Sequence, residues 1–172
     1  TTFRSLSRAL PFASADSSRF VLQVLHLTFD KDTVIAQSAD GYSAGYVRES
    51  IEGPAEQTCV ALPLSVARLL STLVEDRDTV RLCTSGDNRY IFQINNLEDS
   101  KDLTLATVTS AENFPSEQIM TLISDARKST AALLNVQQTS LMQSIRMVNA
   151  MGTQSTFIKV VNGVVKIASA ET

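Results

Sequence analysis

Five residues of the chain match a catalytic motif of serine hydrolases. Residues 41–45 read Gly-Tyr-Ser-Ala-Gly, and in those enzymes the GxSxG pattern places a nucleophilic serine between a strand and a helix. That chemistry needs a histidine base after the serine in the chain, whereas the single histidine, His26, precedes Ser43. The residues after Ser43 also continue as a predicted strand. We therefore interpret the match as coincidental, predict no catalytic residue, and expect His26 on the solvent face of a strand.

Two cysteines are the next candidates for chemistry. Cys59 and Cys83 each lie in an apolar run, and neither belongs to a CxxC pair. With one histidine in the chain, the sequence predicts no metal site and no cofactor. We interpret both cysteines as buried strand thiols of a protein in a reducing compartment.

Acidic residues form two clusters in predicted loops and at a predicted helix end. Their spacing lacks the alternation of a calcium-binding loop, and the chain has no glycine-rich phosphate loop. Solvated surface is therefore the predicted role of Glu75, Asp76, Asp78, Glu98, Asp99 and Asp102.

The bulk composition is that of an ordinary globular protein, with 172 residues, 44% apolar and 19% charged. A formal charge of −3 disfavours a protein coated in basic residues but leaves open one that gathers its cations on one surface. No apolar run reaches the roughly 18–20 residues of a membrane span, and residues 1–8 lack a secretory signal. We expect a cytoplasmic protein with no membrane partner. The absent initiator Met suggests a trimmed or excerpted chain.

Apolar periodicity predicts three cycles, each with one helix and several short strands. The first comprises a helix over 3–13 and strands over 21–29, 33–37 and 42–51, with breaks at Asp30-Lys31-Asp32 and Gly53-Pro54. The second comprises a strand over 59–62, a helix that follows Pro63, and strands over 79–84, 90–94 and 103–108. The third comprises a strand over 131–136, a helix from Thr139 or Ser140 to about Met151, and strands over 157–161 and 164–168. Asn162-Gly163 between the last two strands is a strong hairpin signal.

The three cycles repeat one unit, strand–helix–strand–strand–strand, in which the first copy lacks its opening strand and the third its final one. Two helix sequences also resemble each other: Phe-Arg-Ser-Leu-Ser-Arg-Ala-Leu at 3–10 and Leu-Met-Gln-Ser-Ile-Arg-Met-Val at 141–148. Short strands joined by tight hairpins imply antiparallel sheets with helices on one face. The predicted fold class is therefore α+β, built from repeated β-α-β-β-β half-domains, although a generic duplicated α+β protein would show the same repeat.

The order and spacing of several short motifs resemble the middle domain of a bacterial DNA sliding clamp, the DNA polymerase III beta subunit. The motifs are Leu-Ser-Arg-Ala-Leu-Pro-Phe-Ala-Ser at 6–14, Asp-Ser-Ser-Arg at 16–19, Ser-Ala-Asp-Gly-Tyr at 38–42, the segment 60–73, and Phe-Pro at 114–115. The resemblance implies the DNA-clamp fold. It implies a middle-type domain over 1–124 that lacks its first strand, and the first half of a following domain over 125–172.

Resemblance to this family also implies a non-enzymatic processivity factor that encircles duplex DNA. The implied ring is a homodimer of the full-length subunit, with helices around the hole and sheets outside, and it binds DNA without sequence preference. Its implied protein partners are DNA polymerase III, other clamp-binding proteins and the clamp loader. The arginines of the helices would face DNA phosphates across water, or would be ordinary solvated side chains: Arg4, Arg8, Arg68 and Arg146.

A pocket for partner peptides is a further implication of the resemblance. In the family it lies between the middle and last domains, and the corresponding residues of this chain are Ala39, Gly41, Ser43, Ala44, Pro115 and Met120. Ser43 and Ala44 stand where the family commonly has arginine and leucine, so two small side chains replace a long amphipathic wall. The alternative function is therefore a clamp-fold paralogue that binds proteins without closing a ring.

Overall fold

The first helical segment lies at the start of the described chain. A computed structural model of the protein describes residues 3–84, 89–96, 101–108, 113–129, 135–150 and 156–169, in two units, Thr1–Asp125 and Ala126–Thr172. In the first unit, α1 (Phe3–Leu6) continues as a 3-10 helix over Ser7–Phe12. The apolar periodicity that predicted a helix over 3–13 corresponds to the buried face of this segment, which comprises Phe3, Leu6, Ala9 and Leu10. The segment ends one residue after Pro11, which has no backbone N–H to extend a helix.

Two long strands form the central sheet of the first unit. β1 (Val24–Ala39) and β2 (Ala44–Pro63) pair antiparallel along their whole lengths. The turn predicted at Asp30-Lys31-Asp32 is confirmed within β1: the Ser38 hydroxyl donates to the Val24 carbonyl oxygen at 2.9 Å, a contact across 14 positions that requires the chain to reverse its direction. Lys31 takes a positive φ of 51° at this reversal. β2, by contrast, runs through Gly53 and Pro54, where a break was predicted, and includes the segment 59–62.

The start of β1 also differs from the prediction. Residues Ser17–Leu22 form a second 3-10 helix in place of the first strand residues. Its cap is Asp16, whose side chain accepts a hydrogen bond from the Ser18 backbone N–H at 2.9 Å. This local bond offers the backbone an alternative to strand pairing, so β1 begins only at Val24.

An inner core fills the space between one face of this sheet and the helices. Leu25 and Leu27 enter it from the first half of β1, and Val34 and Ala36 enter it from the second half. Alternate strand residues point to opposite faces, and the chain reversal at Lys31 brings the two halves side by side with these four residues directed at the same core.

The second cycle adds a helix and a three-stranded sheet to the inner core, as predicted. α2 (Leu64–Leu73) follows Pro63 and buries Leu64, Ala67 and Leu70. β3 (Thr79–Thr84), β4 (Arg89–Asn96) and β5 (Lys101–Val108) then form an antiparallel sheet in the order β3-β4-β5. Phe92 and Ile94 of β4 join the inner core. Residues 85–88, between β3 and β4, lie outside the described residues.

The opposite face of the β1–β2 sheet is also covered, which the sequence analysis did not anticipate. α3 (Ser116–Lys128) follows Phe114-Pro115, where no helix was predicted. We call the apolar contact on this face the outer cluster; its buried members are Val24, Ala39, Ala61, Phe114 and Ile119, and Leu22 and Ile123 pack against them. The central sheet is therefore buried on both faces.

The second unit contains α4 (Gln138–Ala150), β6 (Thr156–Val161) and β7 (Val164–Ser169). The helix prediction is confirmed, with Val148 buried on its inner face. β6 and β7 pair antiparallel around Asn162-Gly163, both with positive φ (51° and 75°), as a type I′ hairpin turn requires. Residues 131–134 of the predicted strand over 131–136 lie outside the described residues. No helix in the described part of the chain is long and apolar enough to cross a membrane.

Candidate functional site: the helical face and the outer face of the central sheet

Three of the four predicted DNA-facing arginines lie on adjacent helices of the first unit. α1 and the 3-10 helix after it both contact α2. Arg4, Arg8 and Arg68 are all exposed. Arg8 directly precedes Ala9 of the inner core, and Arg68 directly follows Ala67 of the same core. The structure therefore brings three guanidinium groups to the helical layer on one side of the central sheet.

A carboxylate partly balances this cationic surface. Arg4 Nη1 lies 3.7 Å from Asp76 Oδ2, so this ion pair joins α1 to the segment that follows α2; both side chains are largely exposed (76% and 62%). Ion pairs in such exposed positions contribute little to stability and are screened by salt. Arg4 is thus available to a polyanion only in competition with Asp76.

Arg146, the fourth predicted DNA-facing arginine, lies on α4 of the second unit. Its side chain is exposed. Val148, two residues later, is the buried residue of the same helix.

The turn after β1 contains the GxSxG residues. The Asp40 carboxylate accepts hydrogen bonds from the backbone N–H groups of Tyr42 (2.8 Å) and Ser43 (2.6 Å). The Ser43 hydroxyl donates to the same carboxylate at 3.0 Å. The backbone bonds from Ser43 and Tyr42 hold the pKa of Asp40 below its usual value. Ser43 therefore stabilises a turn, and the strand β2 follows it where a hydrolase has a helix.

Arg19 holds this turn from the neighbouring 3-10 helix, a role that sequence reasoning missed. Its Nη1 donates to the Asp40 carbonyl oxygen at 2.7 Å, and its guanidinium carbon lies 5.3 Å from the centre of the Tyr42 ring. A Cβ added to Gly41 would meet Arg19 Nη1 at 2.6 Å, so glycine permits the close approach. Only the motif Asp-Ser-Ser-Arg marked Arg19 in the sequence, and nothing local to it indicates a contact 21 residues away.

The six predicted pocket residues fall into two neighbouring places. Ala39 is buried in the outer cluster together with Phe114 and Ile119. The turn that follows Ala39 exposes the next three residues of the set, namely Gly41, Ser43 and Ala44. The last two lie beside the outer cluster in sequence: Pro115 is half-buried and Met120 on α3 is 37% exposed.

His26 belongs to the outer face of the sheet, and its predicted exposure to solvent was wrong. The ring is only 7% exposed and stacks on Phe114, with ring centroids 4.8 Å apart and planes 11° apart. Its Nδ1 atom has no hydrogen-bond partner among the described residues. Burial lowers the pKa of His26, and a hydrogen bond with the Gln37 side chain opposes this effect. The imidazole is therefore held neutral near pH 7.

Gln37 binds the start of α3 to the outer face of the central sheet through hydrogen bonds with Ser116. This side chain is fully buried, and its Oε1 accepts a hydrogen bond from the Ser116 hydroxyl at 2.6 Å. A longer bond of 3.5 Å joins Gln37 Nε2 to the Ser116 carbonyl oxygen. The pair satisfies a polar group that would be costly to bury alone.

The cysteines do not both lie in the core. Cys59 is exposed, which contradicts the prediction of a buried thiol, and Cys83 is half-buried. The Sγ of Cys59 donates to Thr28 Oγ1 across the β1–β2 pair at 3.8 Å. An apolar run does not by itself predict burial of Cys59, because alternate residues of a strand point to opposite faces of the sheet.

Of the acidic residues, Asp78 has a structural role beyond solvation. Its carboxylate accepts hydrogen bonds from the Glu75 backbone N–H at 2.9 Å and from Asn96 Nδ2 at 3.1 Å. Glu75 and Asp76 are exposed, as predicted, while Glu98 and Asp99 lie outside the described residues.

Solved structures of bacterial sliding clamps share this architecture. The DNA polymerase sliding clamp of Bacillus subtilis superposes with a TM-score of 0.71 at 11% identity, over 96% of this chain and 42% of that one. The sliding clamp of Pseudomonas aeruginosa gives 0.73 at 14% identity, over 97% and 45%. The beta subunit from DNA polymerase of Streptococcus pyogenes gives 0.70 at 15% identity, over 98% and 44%.

The similarity is one of fold and not of sequence. No family model matches the chain, and no curated protein matches its sequence. The chain spans less than half the length of the clamp structures that it matches. At this level of identity the match establishes the fold, which confirms the predicted α+β architecture. The chain therefore has the fold of a bacterial DNA sliding clamp, an arrangement of helices and antiparallel sheets.

Proposed function

We propose that this chain is part of a DNA sliding clamp, a non-enzymatic module that contributes to a ring around duplex DNA. The observation that carries the proposal is the exposed arginine set on α1, the 3-10 helix and α2, on the helical layer of a clamp-type fold. In this proposal Arg4, Arg8 and Arg68 of the first unit face phosphates, and Arg146 has the same role in the second. Residues 1–124 are a middle-type clamp domain, and 125–172 are the first half of the next.

The electrostatics suit a protein that slides. Non-specific DNA affinity comes from cations that displace counterions from phosphates, and it weakens steeply with salt. Three arginines on one layer, one of them paired with Asp76, give a weak and diffuse attraction, while the chain as a whole is acidic with a net charge of −3. Such a surface attracts a duplex without holding it at one position.

The remaining parts of the proposal follow from the resemblance. The full-length protein forms a homodimeric ring in the cytoplasm, is placed on DNA by a clamp loader, and tethers DNA polymerase III and other clamp-binding proteins. Their peptides bind at the turn after β1 and the neighbouring segment, through Ala39, Gly41, Ser43, Ala44, Pro115 and Met120. Ala39 lies in the outer cluster, and Leu22 of that cluster also lies 4.0 Å from a Cβ added to Gly41, which supports one continuous surface.

Retention on circular DNA tests the ring. Gel filtration first determines the oligomeric state, and the chain is then loaded on nicked circular DNA with a clamp loader. A ring remains on the closed circle and leaves after the DNA is linearised, whereas a protein that only touches DNA leaves both forms equally. A monomer that leaves the circle as fast as the linear form would contradict ring formation by this chain.

A second candidate is a clamp-fold protein that binds other proteins without closing a ring. The pairing of Arg4 with Asp76 favours it, because this contact reduces the charge offered to DNA. The same assay separates the two: the second candidate predicts no retention on the circle and no loss of affinity for protein partners at moderate salt.

A further inference from the structure

The β3-β4-β5 sheet has a polar side that points away from the inner core. Ile94 of β4 lies in that core, and Leu82 of β3 packs against it. Alternate strand residues point to opposite faces, so Arg81 and Gln93 lie on the other side of the sheet, which we call the polar face. A cavity of about 510 Å³ opens there, and its described lining consists of two arginines, three amide side chains, a threonine and an aspartate.

Part of this lining is already paired within the chain. Asn95 Nδ2 donates to Asp102 Oδ1 at 3.2 Å, between neighbouring strands β4 and β5. Asn96 Nδ2 donates to Asp78 Oδ1 at 3.1 Å. The carboxylate of the described lining, that of Asp102, therefore already accepts a hydrogen bond from an amide beside it.

Arg81 and Gln93 differ from these paired residues. They lie directly opposite each other on β3 and β4, where Cβ atoms are about 4.5–5.5 Å apart in an ordinary sheet. Their side chains make no hydrogen bond or ion pair with any other residue in the described part of the chain. Arg77, just before β3, adds a second guanidinium group to the cavity. The cavity therefore presents a guanidinium and an amide side by side as donors without an internal acceptor.

These donors fit a carboxylate. A guanidinium is a planar fork that can donate two parallel hydrogen bonds to the two oxygens of a carboxylate. The two arginines outnumber Asp102, so the cavity attracts an anion, and Asp102 repels a doubly charged phosphate more than a singly charged carboxylate. Arg77 and Arg81 are exposed, whereas sites that enclose a small molecule are mostly apolar. The carboxylate therefore belongs to a larger partner, which also makes contacts outside the cavity.

We propose that the polar face is a docking site for an acidic segment of a protein partner. A side-chain carboxylate of that segment accepts hydrogen bonds from Arg81 and Gln93, and Arg77 adds electrostatic attraction. The site goes beyond the proposed function, since it includes no arginine of the helical layer and no residue of the proposed peptide surface. It gives the chain a second place for protein partners that depends neither on a ring nor on DNA.

An NMR titration of the whole chain tests the site. The probe is an amidated peptide of alternating serine and glutamate, and the same peptide with glutamine in place of glutamate is its control. The glutamate peptide should shift the side-chain amide signals of Gln93 and the backbone signals of β3 and β4 around it, and the glutamine peptide should not. Arg81→Gln should weaken binding about tenfold or more, because charge-assisted hydrogen bonds are lost. Arg81→Lys keeps the charge but lacks the fork, so its affinity should lie between the two.

Arg89 supplies the matched control variant. It is an exposed residue of the same strand as Gln93, on the same face, and it does not line the cavity. Arg89→Gln changes the net charge as Arg81→Gln does and should leave the affinity for the glutamate peptide at its wild-type value. Equal weakening by the two substitutions would overturn the proposal, since binding would then depend on the charge of the chain as a whole.

Two further peptides identify the source of the negative charge. A serine–phosphoserine peptide that binds more tightly than the glutamate peptide would replace the carboxylate by a phosphate and overturn the proposal. A glutamine peptide with a free carboxyl end that binds where the amidated glutamate peptide does not would overturn the acidic side chain in favour of a chain end.

The wild-type spectra decide if Arg81→Gln loses its cooperative thermal transition. Shifts caused by the glutamate peptide that are confined to the surroundings of Arg81 and Gln93 support the site. Shifts centred elsewhere, or none, overturn it.

Discussion

The imidazole ring of His26 lies flat against the phenyl ring of Phe114, 4.8 Å between centroids, and joins the first strand to the segment that begins α3. These residues are 88 positions apart in the sequence, so the contact fixes a non-local arrangement. It also makes the stability of this contact depend on pH, since a charged imidazole is unfavourable in an apolar site.

We expect the free energy of unfolding to fall as the pH is lowered from about 7 to 5. Burial lowers the pKa of His26 from its ordinary 6.5, so the unfolded chain binds more protons than the folded chain in this range. The contribution of neutral His26 is therefore complete above pH 6.5 and is lost as the pH falls through the folded-state pKa. Urea unfolding at several pH values measures the slope.

The variant His26→Phe is the control for this pH dependence. It keeps a ring against Phe114 and removes the titrating group, so the slope between pH 7 and 5 should flatten. The pKa of Asp40 is also lowered, but from 3.8, so its effect belongs to more acidic solutions. An unchanged slope in the variant would assign the acid sensitivity to other groups.

A second prediction concerns the close approach of the first helical segment to β2. A Cβ added to Gly45 would lie 2.3 Å from Phe12 Cδ2 and 2.9 Å from Cγ, so the variant Gly45→Ala must push the whole ring away. We expect a loss of about 1–3 kcal/mol in the free energy of unfolding, as for overpacked sites. The double variant Phe12→Ala/Gly45→Ala should recover most of that loss. Additive effects of the two substitutions would show that the ring is not the obstacle.

The turn after β1 should be destabilised by any side chain at Gly41. Its φ of +94° is a conformation that L residues rarely adopt, and the new Cβ would also displace Arg19 Nη1. The variant Gly41→Ala should lose about 1–3 kcal/mol of unfolding free energy in denaturant titrations. Gly163→Ala is the matched comparison, because its φ is +75° with open space around it. A much smaller loss at Gly41 than at Gly163 would contradict the role of Arg19.

The salt dependence of DNA binding tests the arginine set. Each phosphate that a cation neutralises contributes a slope of about −0.9 in log K against log salt concentration. Arg68→Ala should therefore make the slope less negative by about 0.9 and weaken binding to all sequences alike. Arg4→Ala should have a smaller effect because Arg4 is paired with Asp76.

Arg48 supplies the control for the salt titration. It is an exposed residue of β2. Its neighbours face the helices: Val47 packs against the inner core, and Glu49 accepts a hydrogen bond from Ser5. Arg48 therefore lies on the other face of the sheet. Arg48→Ala changes the net charge equally and should leave the slope unchanged. Equal changes of slope for Arg48→Ala and Arg68→Ala would show that DNA affinity depends on the net charge of the chain and not on arginines of the helical layer.

The sequence predicted the elements whose signals are local. The hairpin at Asn162-Gly163 needs only two residues that tolerate positive φ, and the buried stripe of the first helical segment needs only its own periodicity. The three strands β3, β4 and β5 were also within a few residues of their observed bounds. The predicted clamp fold followed from the order and spacing of short sequence motifs that resemble the family, and not from these elements.

Non-local contacts account for the errors. α3 was missed because its buried stripe is only Ile119 and Ile123, too short for a helical pattern, while Met120 and Leu122 face outward. The error at His26 follows from that omission, since a strand face becomes buried only when another element covers it. Asp30-Lys31-Asp32 shows the opposite case: its composition is that of a turn, and this local signal was sufficient to predict the chain reversal.

The alternation of β1 has a consequence for how such a chain changes over generations. Consecutive residues such as Leu25 and His26 belong to different contacts, one under the helical layer and the other under α3. Substitutions can therefore alter either side separately, position by position. An insertion or deletion of one residue within one half of β1 would exchange the two sides for the rest of that half. The chain reversal at Lys31 separates the two halves, so the other half can keep its alternation.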